Sequence, residues 1–189
     1  MKPRSFATTA AALSAAFLLA ACSTFFGAAE TSGQKAFRLA GIYSYVAIPA
    51  AEYAAIPTAN TEIVDLVCRV DKAAWGAVES ARVSLEMGGD TLTTSLAAAS
   101  SAMASFSLQV LGTISFPSVD PAELASKSII LASVGARSFA EMRVFRKTYL
   151  QTKLAAMQDL GLDPTAEEMA EIGDQARLRH DRVQAACAA

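Results

Sequence analysis

The sequence predicts an all-α fold, a four- to five-helix bundle, and three observations carry that expectation. Alanine, the strongest helix former, supplies 41 of the 189 residues. Apolar residues recur at steps of three and four along several stretches, the period of one helix face. Residues that start helices stand before those stretches, and glycine stands after them. A mean hydropathy of +0.33 with 18% charged residues excludes a disordered chain. Six prolines and ten glycines exclude a collagen-like or linker-dominated one. The length suits one domain.

The amino terminus is read first. Lys2 and Arg4 form a short basic region, and no charge follows from Phe6 to Ala21. About 16 uncharged residues make the apolar core of a signal peptide and fall short of the ~20 that a spanning helix needs. The stretch ends in Leu19-Ala20-Ala21-Cys22, which resembles the lipobox of bacterial lipoprotein precursors. The resemblance covers only the first 23 residues. It implies that residues 1–21 are a signal peptide, cut before Cys22, and that Cys22 carries a diacylglycerol thioether and an acylated amino group, including palmitate-like chains. Two or three acyl chains, at roughly 0.8 kcal/mol per buried methylene, give a stable anchor. Position 23 is serine and not aspartate, similar to Gram-negative lipoproteins forwarded to the outer membrane. The expected location is the periplasmic face of that membrane.

Loss of Lys2 and Arg4 with residues 1–21 would leave 14 basic against 18 acidic residues, a formal charge of −4. A mildly acidic envelope protein is a poor nucleic-acid binder. Residues 22–34 are small and polar, with Gly27 and Gly33, and read as a flexible tether. Residues 35–189 read as the bundle domain.

The first helix is expected over Lys35–Ile56, kinked at Pro49 and ended by Pro57, because an internal proline removes one hydrogen bond and crowds the carbonyl four residues back. Its tyrosines Tyr43, Tyr45 and Tyr53 could wall a ligand groove or pack into the core. Thr61 is the expected N-cap of a second helix to Leu85, with Ile63, Leu66, Val70, Ala74, Ala77 and Ala81 on its apolar face. Gly88-Gly89 stops it. Asp90 then opens a third helix, Thr91–Leu111, in a stretch without charge up to Asp120. Its small residues Ala97, Ser101 and Ser105, and Ala98 and Ala102, predict a central helix closely packed by its neighbours.

Asp120-Pro121 with Glu123 marks the start of a fourth helix that runs to Leu160 and stops at Gly161. Asp163-Pro164-Thr165 with Glu168 starts a fifth, with Met169, Ile172, Ala176 and Val183 on one face and a fraying end. Arg137, Arg143, Arg146, Lys147 and Lys153 precede the acids Asp159, Asp163, Glu167, Glu168, Glu171 and Asp174. A turn at Gly161 would therefore lay a basic stretch beside an acidic one. Arg143, Arg146 and Lys147 are also candidates for contact with an anionic surface.

Chemistry is sparse. The sequence holds no nucleophile elbow, dinucleotide fingerprint, P-loop or His-Glu-x-x-His. His180, the one histidine, stands apart from metal-ligating partners and reads as a surface or boundary residue. No catalytic residue, metal site or cofactor is expected. Once lipid occupies Cys22, Cys68 and Cys187 form an even pair in an oxidising compartment. Each lies four residues after a valine on an apolar face, so an intramolecular disulfide tying the carboxyl terminus to the second helix is expected, with two buried thiols or an interchain bridge as the alternatives. The expected function is a non-enzymatic binding or scaffolding component of the cell envelope, with an envelope protein as partner. The alternative is a carrier of a small apolar ligand.

Overall fold

The computed structural model describes residues 30–115, 140–141 and 143–189. These residues form an all-α bundle with no strand among them. Helix α1 spans Ser32–Ala54, α2 Thr61–Met87 and α3 Thr91–Ser115. A π-helical stretch over Arg146–Leu154 leads directly into α4, Ala155–Leu160, and α5 spans Ala166–Cys187. The expected start of the fourth helix, at Asp120-Pro121, lies outside the described residues, as do the signal peptide and Cys22.

Helix α1 is the centre of the bundle. It packs against α2, α3, α5 and the π-helical stretch, and 16 of its 23 residues are buried. Many of these are small (Ala36, Ala40, Ala47, Ala50), which lets four neighbours approach one axis. The third helix was expected in this place. In α3 only one face is buried, through Leu96, Ala99, Met103, Phe106 and Val110, while Ala97, Ala98, Ser101 and Ser105 face outward. A stripe of small residues permits close packing but does not require it, and α3 is drawn in by its larger side chains. No described helix is long and apolar enough to cross a membrane.

Helix α1 begins three residues before the expected Lys35. Thr31 caps it, its hydroxyl accepting from the Gln34 backbone N–H at 3.0 Å while the Gln34 side chain accepts from the Thr31 N–H at 3.3 Å. The residues just before and inside this start, expected as the end of a tether, are docked. Glu30 receives a forked bond from Arg38, and Gln34 donates to the Leu162 carbonyl at 2.8 Å. Gly33 leaves room for the neighbouring turn, since a Cβ there would sit 2.6 Å from Asp163 Oδ1 and 3.1 Å from Pro164, and a side chain would displace them. The helix carries the buried Pro49 within it and ends at Ala54, ahead of Pro57.

Asn60, and not Thr61, caps α2, accepting from the Glu62 and Ile63 N–H groups. Both residue types cap, and the one that stands outside the helical dihedrals takes the role. Gly161 ends α4 in the left-handed conformation at φ 64°. Thr165 and Glu168 form a capping box at the start of α5. The far end of α5, expected to fray, is helical to Cys187 and held there by a disulfide.

Candidate functional site

The buried stripe of α2 is Val67, Asp71, Ala74, Val78, Ala81 and Ser84. Of the apolar face expected from periodicity, Ala74 and Ala81 are buried, while Ile63, Leu66, Val70 and Ala77 are only half-buried. The true stripe is turned toward Asp71. A carboxylate in the sequence reads as an interruption of an apolar face, and here it is the middle of one.

Asp71 is fully buried, and its two oxygens are used by three elements. Tyr43 of α1 donates its hydroxyl to Oδ1 at 2.6 Å. From α5, Gln184 donates to Oδ2 at 2.8 Å and His180 Nδ1 meets the same oxygen at 2.7 Å. A buried carboxylate without partners would be strongly destabilising, so this set of donors is what permits the residue to be there. Burial pushes the Asp71 pKa above its ordinary value, opposed by the hydrogen bonds from Tyr43 and Gln184 and by His180. Burial, followed by the nearby Asp71 charge, pushes the Tyr43 pKa far up, so its hydroxyl remains a donor.

Aromatic rings close the site. Tyr43 stacks on Phe106 of α3 with centroids 5.6 Å apart and meets Trp75 at 5.5 Å. Trp75 in turn stacks on His180 at 5.3 Å. His180, expected to stand apart at the surface or boundary, is therefore a boundary residue anchored by a carboxylate and an indole. Among the described residues no three His, Cys, Asp or Glu side chains gather as a metal site.

One helical turn away, Cys68 and Cys187 are joined, with α-carbons 6.1 Å apart and the two residues 119 positions apart in the sequence. The disulfide and the Asp71 cluster belong to one antiparallel register of α2 and α5. Along it Cys68 meets Cys187, Asp71 meets Gln184, Trp75 meets His180, and Glu79 meets Arg177. Each step of three or four forward on α2 is matched by a similar step back on α5. Arg82 forks onto Glu79 at 2.8 and 2.9 Å, and this bond holds the Glu79 carboxyl below its ordinary pKa.

The tyrosines expected to wall a groove are buried (Tyr43, Tyr53) or half-buried (Tyr45). A shallow cavity of about 190 Å³ lies further along, between the ends of α1 and α5. Ile48, Ala51 and Ala186 line it together with Glu52, Glu141, Arg179 and Arg182, a partly charged lining.

The expected basic-to-acidic hairpin is present in a different register. Lys153 pairs with Glu171, and Glu141 pairs with Arg179 at 3.0 Å and with Arg182 at 4.0 Å. Arg143, Arg146 and Lys147 belong to the basic stretch expected beside the acids that include Glu167, Glu168 and Glu171. They are exposed and make no ion pair among the described residues, because antiparallel geometry puts the acidic start of α5 beside residue 153 and beyond. Compared with known protein families, with curated proteins and with solved structures, the chain matches none.

Proposed function

We propose that this protein is a lipid-anchored, non-enzymatic scaffolding or binding component of the bacterial envelope, held by Cys22 at the periplasmic face of the outer membrane. One observation carries the reading: Tyr43, Asp71 and His180 are locked together by hydrogen bonds across three helices and bolted by the adjacent Cys68–Cys187 bridge. A disulfide that closes a long loop suits an exported protein, since such bonds persist in oxidising compartments. Export in turn suits the Leu19-Ala20-Ala21-Cys22 motif. The described contacts of His180 are with Asp71 and Trp75, a pattern that fixes helices and supplies no nucleophile. Tyr43, fixed between Trp75 and Phe106, favours the scaffold over a carrier with an open aromatic pocket.

Intact mass of the protein extracted from a Gram-negative host tests the anchor. Wild type should gain the diacylglyceryl and acyl masses on a chain that begins at Cys22, and Cys22→Ser should remain an unmodified precursor. Native mass spectrometry of the same extract tests the class of function. A bare or protein-bound chain supports the scaffold, and a stoichiometric small hydrophobic adduct rejects it in favour of the carrier.

A further inference from the structure

The outer side of the hairpin made by residues 143–160 and α5 presents bases and aliphatic side chains together. Arg143, Arg146 and Lys147 are exposed. Val144 is 66% exposed, and Leu178 on α5 is 54% exposed. The register that joins Lys153 to Glu171 and Glu141 to Arg179 places Val144 opposite Leu178. Two uncovered aliphatic residues thus stand at the same level of the hairpin, near three cations that make no ion pair among the described residues. Bases around a small apolar centre suit an interface of phosphate headgroups over acyl chains.

The opposite charge marks the end of the bundle from which the anchor would emerge. Asp159, Asp163 and Glu167 are exposed there, and Thr31 hydrogen-bonds Asp163. An anionic surface repels that end and attracts the basic strip. Eight residue steps separate Cys22 from Glu30, at most about 28 Å when extended. Leu178 lies 12 residues into α5, about 18 Å from its start. The tether is long enough for the side of the bundle to reach the surface that holds the anchor.

We propose that Arg143, Val144, Arg146, Lys147 and Leu178 rest on the anionic phospholipid surface of the bilayer in which the Cys22 lipid is embedded, so that the bundle lies side-on. This rests on the lipid anchor of the reading above. Full-length mature protein is reconstituted into vesicles of phosphatidylethanolamine and phosphatidylglycerol (3:1) or of phosphatidylcholine alone. A water-soluble amine-reactive ester then modifies the lysines, with Lys72, exposed on α2, as the internal reference. Each base near an anionic surface is worth about fivefold in partitioning. Lys147 should therefore react at least about fivefold more slowly in the phosphatidylglycerol vesicles, with Lys72 unchanged. Half-molar salt should remove the difference. The double variant Arg143→Glu with Arg146→Glu, helical by circular dichroism, should lose the protection while keeping the Lys147 reporter. Equal Lys147 labelling in both vesicles, on a chain whose mass shows the lipid, overturns the strip and leaves the anchor standing. Protection of Lys147 by soluble dextran sulfate with none from phosphatidylglycerol overturns it in favour of an anionic polymer. An unlipidated Cys22 overturns the anchor and the strip together.

Discussion

Helix α5 packs on α1 and α2 and reaches the preceding hairpin arm through long charged side chains, so its seams with α2 and with the arm are built from different interactions. The α2 seam holds a disulfide, a buried carboxylate with three partners, and an indole stacked on an imidazole. The hairpin seam holds ion pairs between side chains in contact with water: Lys153–Glu171, Glu141–Arg179 and the longer Glu141–Arg182. In the sequence the second seam is the conspicuous one, because its charges come in blocks. Solvent-exposed pairs of that kind are each worth about 0.2–1 kcal/mol. The quieter seam should hold most of the stability, since breaking it exposes or orphans buried groups.

Removal of the bridge should produce the largest effect. Cys68→Ala with Cys187→Ala should lower stability by about 5 kcal/mol, the chain-entropy value for a loop of over a hundred residues. Urea unfolding of wild type with and without reductant should show the same difference. Asp71→Ala comes next at about 3 kcal/mol, because Tyr43, His180 and Gln184 all lose their acceptor. A double-mutant cycle with Tyr43→Phe should show clear coupling. Thr165→Ala, which removes the cap of α5 on the hairpin side, should cost about 1 kcal/mol. The hairpin pairs should come last: Lys153→Glu with Glu171→Lys should couple by about 0.5 kcal/mol in a cycle. Reversal of Arg143, Arg146 and Lys147 should leave the unfolding midpoint nearly unchanged. A hairpin variant that costs more than Asp71→Ala would reverse the ranking of the two seams.

The buried carboxyl also gives the α2 seam a pH signature. Burial raises the folded pKa of Asp71 above its unfolded value. The stability that follows from this shift is fully present below the unfolded pKa of about 4 and is lost as pH rises through the folded value. Wild type compared with Asp71→Asn should therefore lose relative stability from pH 3 upward and then level off. Denaturant midpoints of the two proteins over pH 3–8 check this. A slope of the opposite sign would mean that the hydrogen bonds outweigh burial.

Local chemistry determined much of this protein in advance. The all-α class, the turn glycines Gly88-Gly89 and Gly161, and the start of the last helix follow from residues within one turn of each other. So does the apolar face of Met169, Ile172, Ala176 and Val183, of which the last three are buried and Met169 is half-buried. The bridge between Cys68 and Cys187 was the reading their positions on apolar faces favoured, but two buried thiols and an interchain bridge stood as alternatives. Only the packing of α2 against α5 chose among them, since a bridge depends on two α-carbons that come together across 119 residues of chain. The same holds for Asp71: a carboxylate is buried only if donors arrive from elsewhere, and its donors are 28, 109 and 113 residues away. Which helix is central was likewise decided by packing, because a small-residue stripe is compatible with a buried face and with an open one. Sequence periodicity specifies which side chains share a face, and tertiary structure specifies what that face meets.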